Sequence, residues 1–321
     1  MNRCAGLIVL MAGALAALTT ATAATTATAA AANERSVERQ VSADPNGEVS
    51  IDNVAGSIIV SAWDRPQVAV HAELGAETLE LSVSSDPGHT HVRIDGYQDH
   101  PGNLVHLFGE VRAKAQLRVQ VPRASRLSVT SVSADIRSTG VSGPQHLQAV
   151  SGRIEADVFA APVEARTVSG DIRLLGDGQA AQIGATSVSG DVRLGKGAGD
   201  VQATSISGKL QLEVNPAANL TLRTTSGDMR IEGALTPKAK LNMNTISGHV
   251  DLQAAAPGGL SYDVNSFSGN IDDCFGQQAE HASSYGPATR LTGTRGGGAA
   301  SLRIRTLSGD VSFCDSAPQH P

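Results

Sequence analysis

One recurring pattern restricts what this chain can fold into. An apolar residue, Ser, Gly, a polar residue and a second apolar residue return again and again. The full copies are Val150-Ser151-Gly152-Arg153-Ile154, Val168-Ser169-Gly170-Asp171-Ile172, Val188-Ser189-Gly190-Asp191-Val192, Ile206-Ser207-Gly208-Lys209-Leu210, Thr225-Ser226-Gly227-Asp228-Met229, Ile246-Ser247-Gly248-His249-Val250, Phe267-Ser268-Gly269-Asn270-Ile271 and Leu307-Ser308-Gly309-Asp310-Val311. A degenerate copy, Val132-Ser133-Ala134-Asp135-Ile136, precedes them. From Ser133 onward the Ser-to-Ser steps are 18, 18, 20, 18, 19, 21, 21 and 40. So regular a period marks a repeat architecture, in which each unit buries its apolar face against the next.

Within Val168–Leu174 apolar and polar residues alternate, with Gly170 on the apolar face. That is the period-2 signature of a half-buried strand, whereas a helix needs apolar residues three and four apart. The expected fold is all-β: a single-stranded parallel β-helix, or β-solenoid, with coils of about 18–21 residues. Gly152, Gly170, Gly190, Gly208, Gly227, Gly248, Gly269 and Gly309 are the structural glycines of the repeat. Each takes positive φ at a corner or lets backbone pass where a Cβ would clash. The sequence leaves both open. Gly176-Asp177-Gly178, Gly195-Lys196-Gly197 and Ala256-Pro257-Gly258-Gly259 read as turns between strands.

Around the repeat the chain divides as follows. Residues 1–23 read as a cleaved signal peptide: Arg3, then the apolar run Ala5–Leu18, too short for a span, then an A-x-A option ending at Ala23. Residues 24–40 are an Ala/Thr-rich lead expected to be disordered, and 41–131 an N-terminal β region, a cap or diverged coils. The repeat occupies 132–314, with a Gly-rich loop at 276–300 and a tail at 315–321. Export makes disulfides possible, and removal of Cys4 leaves Cys274 and Cys314. Cys274 follows Ser268 by six residues and Cys314 follows Ser308 by six, so they share a repeat column. If the segment between them loops out, their coils are neighbours and a disulfide clamps the last coil.

These residues give the chain a family resemblance. It resembles the bacterial "putative adhesin" domains of unknown function, exported proteins built from repeated Ser-Gly-Asp strands. The likeness rests on the eight motifs, on Ile51–Val60 followed by Trp63-Asp64, and on the Gly-rich segment before Leu302–Asp310. It implies a β-solenoid and surface adhesion, and it carries no catalytic residues.

Composition narrows function further. The formal charge of −6 argues against nucleic acid, which requires a basic footprint. No integral membrane segment is expected in the mature chain, nor any cofactor. Asp171 and Asp191, one coil apart, suit the carboxylate pair of a glycan-active lyase or hydrolase, but Arg173 and Arg193 beside them make a salt-bridge ladder the cheaper reading. His89 and His91, close to Asp86, Asp95, Asp99 and His100, are weak candidates for a metal pair and so for a periplasmic metal-binding protein. No phosphate loop or nucleophile elbow occurs. The leading expectation is a non-enzymatic, exported adhesin-like or envelope scaffold protein, periplasmic or on the cell surface. Its repetitive polar faces would meet a glycan or an envelope protein.

Overall fold

The computed structural model describes residues 35–75, 79–96, 114–281 and 287–315. Residues 1–23, read as a signal peptide, the first part of the lead, Asp99, His100 and residues 316–321 of the tail lie outside the described residues.

The middle of the chain follows its sequence order. The strand Arg126–Thr139 bends and serves two sheets. In the first sheet its start pairs in parallel with Gln145–Ala149, then come Val163–Thr167 and Ala180–Ser187. The second halves of Val192–Ser205, Leu210–Thr224 and Met229–Ser247 continue that sheet. In the second sheet its end pairs with Ile154–Val158, then Ile172–Gly176 and the first halves of the same three long strands, then Val250–Ala255. Val163 lies opposite both Gln145 and Ile183, so the repeat period read from the sequence is the register of the ladder.

Side chains from the two sheets meet in one narrow core. Val129, Leu147, Ala165, Ala185, Ala203, Leu222 and Met243 come from the first sheet, and Ile136, Ile154, Ile172, Val192, Leu210, Met229 and Val250 from the second. All are buried, and they alternate with polar residues turned to solvent, as a pleated strand requires. Small and β-branched side chains fill the space, so few aromatics are needed.

Close approach explains the glycine column. A Cβ on Gly170 would lie under 3.0 Å from the carbonyl of Gly152, and the same holds for Gly190 over Gly170, Gly208 over Gly190 and Gly227 over Gly208. Among the column's glycines only Gly248 has positive φ, 140°. The same carbonyls accept hydroxyl bonds from inside the core. Thr167 donates to Gly152 at 3.3 Å, and Ser187 to Gly170 and Ser205 to Gly190 at 3.2 Å.

Several expectations need correction. Val168 does not share the inward face with Ile172 and Leu174. It is 45% exposed, because Ser169-Gly170 turns the chain between sheets and interrupts the alternation. Gly195-Lys196-Gly197 is a kink inside the strand Val192–Ser205, with Lys196 at φ 51° and a register shift. The Gly-rich segment holds a strand, Thr289–Arg295, antiparallel to Leu260–Ser266. The lead is cut short by the strand Arg35–Ser42, which pairs antiparallel with Gln67–Leu74.

Both ends depart from sequence order and from a purely parallel helix. At the C-terminal end Ala300–Ser308 inserts between Met229–Ser247 and Leu260–Ser266. Val311–Cys314 inserts likewise between Val250–Ala255 and Ile271–Asp273. The last coil in sequence is thus next to last in space, and Thr289–Arg295 covers the outer edge of the first sheet. At the N-terminal end Glu48–Trp63 lies against Arg126–Thr139 on one side and against His89–Asp95 and Ala115–Pro122 on the other. Antiparallel strands then close both sheets: Glu80–Asp86 on His89–Asp95, and Gln67–Leu74 on Ala115–Pro122. Covered edges are what a long parallel stack needs, since open ones pair with other chains.

Candidate functional site

The first sheet's outer face carries one row in register, polar except at Gly184: Ser128, His146, Glu164, Gly184, Gln202 and Thr221. Gly184 leaves the row without a side chain. An open groove of about 740 Å³ runs over this face, lined by Arg126, His146, Glu164, Gln182, Gln202 and Thr221 among others. His146, Glu164 and Asp200 in it are already held, while Glu48 and Arg126, which also line it, make no ion pair among the described residues. The His146 Nδ1 lies 3.1 Å from Glu164, and its Nε2 lies 2.6 Å from the Gln148 amide. With an amide donor on Nε2, the ring is assigned as the Nδ1–H tautomer, which donates to Glu164. Glu164 also pairs with Arg166. Asn219 donates to Asp200 at 2.6 Å. Such a surface offers hydrogen bonds to an extended polar ligand and has no unpartnered base among His146, Glu164 and Asp200.

The second sheet carries a charge ladder. Arg137 and Arg173 reach Glu155 at 2.5 and 3.6 Å, and Arg193 reaches Asp191 and Asp171 at 2.8 and 3.8 Å. Arg230 pairs with Glu232 and lies 3.6 Å from Asp251; the Glu232 hydrogen bond, then its charge, raises the guanidinium pKa. Asp171 and Asp191 are therefore ladder members. Each also accepts a backbone N–H from the next coil: Asp191 N to Asp171 at 3.1 Å and Lys209 N to Asp191 at 2.9 Å. Asp228 and Asp310 do the same toward His249 and Asn270. The aspartates after Gly therefore close bonds between coils.

His89 and His91 project from one strand with ring centroids 6.4 Å apart. His91 Nε2 is 2.9 Å from Asp52, and His89 Nε2 is 3.4 Å from the Ser50 hydroxyl. Among the described residues no group of three or more His, Cys, Asp or Glu is placed to hold a metal ion. Cys274 and Cys314 are joined in a disulfide with Cα atoms 5.4 Å apart. Among the described residues no helix is long and apolar enough to cross a membrane.

The corner between the sheets holds a feature that alternation alone does not reveal. Val132, Val150, Val168, Val188, Ile206, Ile246, Leu307 and Phe267 are all between 36% and 53% exposed. Ser151 N bonds Val132 O at 2.8 Å, and the link repeats from Ser169 to Val150, Ser189 to Val168, Ser207 to Val188 and onward to Ser268 and Leu307. The apolar residue before each Ser therefore stacks on its neighbour in a solvent-facing ridge, with Thr225 the polar member. Finding the ridge from sequence requires treating Ser-Gly as a corner.

The comparisons with known proteins concern the whole fold. The family model DUF4097, described as Toastrack, matches residues 40–232 and 196–313. No curated protein matches the chain. Solved structures named "putative adhesin" from Parabacteroides merdae and Parabacteroides distasonis align at 10% and 11% identity. They cover 88% of this chain and 97% and 98% of their own, with TM-scores of 0.49 and 0.48. A "putative lipid binding protein" from Parabacteroides distasonis aligns at 10% identity over 88% of this chain and 98% of its own, with a TM-score of 0.43.

Proposed function

The chain belongs to the Toastrack DUF4097 family, and from that premise we propose that it is a non-enzymatic, adhesin-like binding or scaffold protein of the cell envelope. The two stacked sheets are read as a β-solenoid with capped ends. Its exported state rests on the signal-like segment 1–23 and accords with the Cys274–Cys314 bond. Periplasm and outer surface both satisfy that reading.

The observation that carries the binding role is the groove over Ser128, His146, Glu164, Gly184, Gln202 and Thr221. It is shallow, crosses successive coils and offers hydrogen-bonding groups at the coil spacing of ~4.8 Å. An extended polar polymer, a glycan strand or an extended envelope polypeptide, suits it better than a compact substrate. The groove's His146 and Glu164 hold each other, which fits recognition rather than acid–base chemistry.

Binding of the purified protein to an array of envelope polysaccharides tests the reading, with Gln202→Trp to fill the groove. Binding lost in Gln202→Trp with an unchanged melting temperature supports it. Shortening of any bound polysaccharide, lost in Asp191→Asn, would overturn it in favour of an enzyme.

A further inference from the structure

The corner ridge has a length, a period and charged borders that together specify a partner. Eight steps of ~4.8 Å make it about 38 Å long. Its eight apolar side chains expose on the order of 600 Å², the upper end of what one patch of a soluble monomer shows. With the polar columns beside it the strip approaches the ~800 Å² per partner of a standard interface.

The borders differ in sign. Three copies read Arg-Thr-X-Ser-Gly-Asp: Arg166 to Asp171, Arg223 to Asp228 and Arg305 to Asp310. In each, the Arg is an outward residue of the first sheet, and the Asp begins the second sheet across the corner. The first-sheet border therefore carries Arg166, which Glu164 already holds, with Arg223 and Arg305, while the other carries Asp135, Asp171, Asp191, Asp228 and Asp310 with Arg153, Lys209 and His249; of these, Asp171 and Asp191 face Arg193, and Asp228 lies 3.5 Å from Lys209. Arg223 and Arg305 are exposed and make no ion pair among the described residues.

We propose that the ridge is a homodimer interface in which two copies pack ridge to ridge, parallel, about a two-fold axis running along the ridge. That symmetry lays the Arg border of one copy over the Asp border of the other. Each unpaired Arg then meets the Asp of the same coil: Arg223 with Asp228 and Arg305 with Asp310, each twice. The antiparallel alternative sets Arg border on Arg border and is disfavoured by repulsion. A lipid surface is disfavoured by the acidic border, since anionic headgroups attract only the basic one. An isologous contact between identical ladders matches in period without adjustment. The proposal leaves both flat sheet faces free, so it stands or falls separately from ligand binding in the groove.

Sedimentation velocity of the purified protein should show a dimer. Ile206→Glu with Val188→Glu places charges on exposed positions and should raise the dimer dissociation constant at least about tenfold without lowering the melting temperature. Arg305→Asp and Asp310→Arg should each weaken self-association, and mixing the two variants should restore a heterodimer. Thr225→Cys should cross-link to itself under mild oxidation, because a parallel two-fold sets position 225 opposite its own copy. A monomer at high concentration overturns the proposal. So does a dimer untouched by Ile206→Glu with Val188→Glu, or one that Thr225→Cys does not trap. Ridge-dependent binding of the monomer to phosphatidylcholine–phosphatidylglycerol vesicles would assign the ridge to a membrane instead.

Discussion

The middle of the stack and its C-terminal end share one set of devices and differ in what is added to it. Between Arg126 and Ser247 each coil lies beside its neighbour in sequence, held by devices that recur in most copies. A glycine backbone sits on the glycine below, a Ser or Thr hydroxyl closes onto that glycine's carbonyl, and an Asp takes an N–H of the next coil. At the end the coil order is broken; the same devices persist there, with Gly269 over Gly309, Ser266 closing onto Gly309 O at 3.2 Å and Asp310 taking the Asn270 N–H, and individual residues are added to them. Phe313 packs against Tyr262 and Phe275 with centroids at 5.1 and 6.2 Å, the Arg295 guanidinium covers Phe275 at 3.8 Å, and Cys274 is tied to Cys314. A middle coil has two neighbours and can rely on repetition. A terminal coil has one, so irreplaceable contacts substitute for the missing interface.

The largest effect should come from cutting the end's covalent tie. Replacing both Cys274 and Cys314 by Ala opens a link across 40 residues. The chain-entropy cost for such a loop is about 4 kcal/mol. The loss should concentrate at the end: amide exchange should accelerate in Leu260–Ser266 and Ala300–Ser308 and stay slow in Val163–Thr167. Uniform acceleration through the whole stack would show that ends and middle are one cooperative unit.

Breaking the middle should cost nearly as much and spread further. Gly190→Val drives a branched side chain into the Gly170 carbonyl, and backbone cannot step aside as a side chain could. The coils must separate, at about 3 kcal/mol, with protection lost on both sides of the substitution. Chemical denaturation reads the size and hydrogen exchange the extent. An unchanged midpoint would refute the stacked column. The one Cβ in this column, on Ala134, lies opposite Gly56, so a methyl is accommodated only where the neighbour is irregular.

The contrast also explains what the sequence made legible. The period, the strands and the inward columns from Ile154 to Val250 followed from Ser-Gly spacing, because repetition averages away the accidents of any one copy. The Ser/Thr column, Thr167, Ser187, Ser205 and their counterparts, is equally regular but carries no apolar signal, since a hydroxyl in a core does not read as apolar. Alternation carried through the corner puts Val168 on the wrong face. The swapped coils were illegible: pairing between non-consecutive strands leaves no period, and the 40-residue step from Ser268 to Ser308 was the one trace. The groove is composed of outward residues that differ from coil to coil, so no motif announces it.

A gentler change separates hydroxyl from backbone in the middle. Ser187→Ala removes the donor that closes onto Gly170 O at 3.2 Å and leaves the stack intact. A lost buried hydrogen bond costs about 1 kcal/mol. Thr224 and Thr306 occupy the same column with hydroxyls that find no partner among the described residues, so Thr224→Val should be neutral or slightly stabilising. Equal losses at both positions, measured by denaturant midpoint, would mean the column contributes shape rather than hydrogen bonding.

The smallest effect is confined to the end and is exposed by pH. Tyr262 is buried in the coil that closes the stack, and its hydroxyl donates to Gln277. Burial raises its pKa above the usual value of 10.0, the nearby Asp273 adds to the rise, and Arg295 opposes it. The folded state therefore keeps a proton that the unfolded chain releases. The contribution is complete below pH 10 and declines as pH rises through the folded pKa. Wild type should lose stability between pH 9 and 11 more steeply than Tyr262→Phe, which has no phenol to ionise. Ionisation forces a charge into the terminal coil alone, so faster exchange at high pH should appear in Leu260–Ser266 before it reaches Ala180–Ser187. Parallel pH profiles for wild type and Tyr262→Phe would show that the phenol ionises without cost, and that the end is open to water rather than closed by Tyr262 and Phe313.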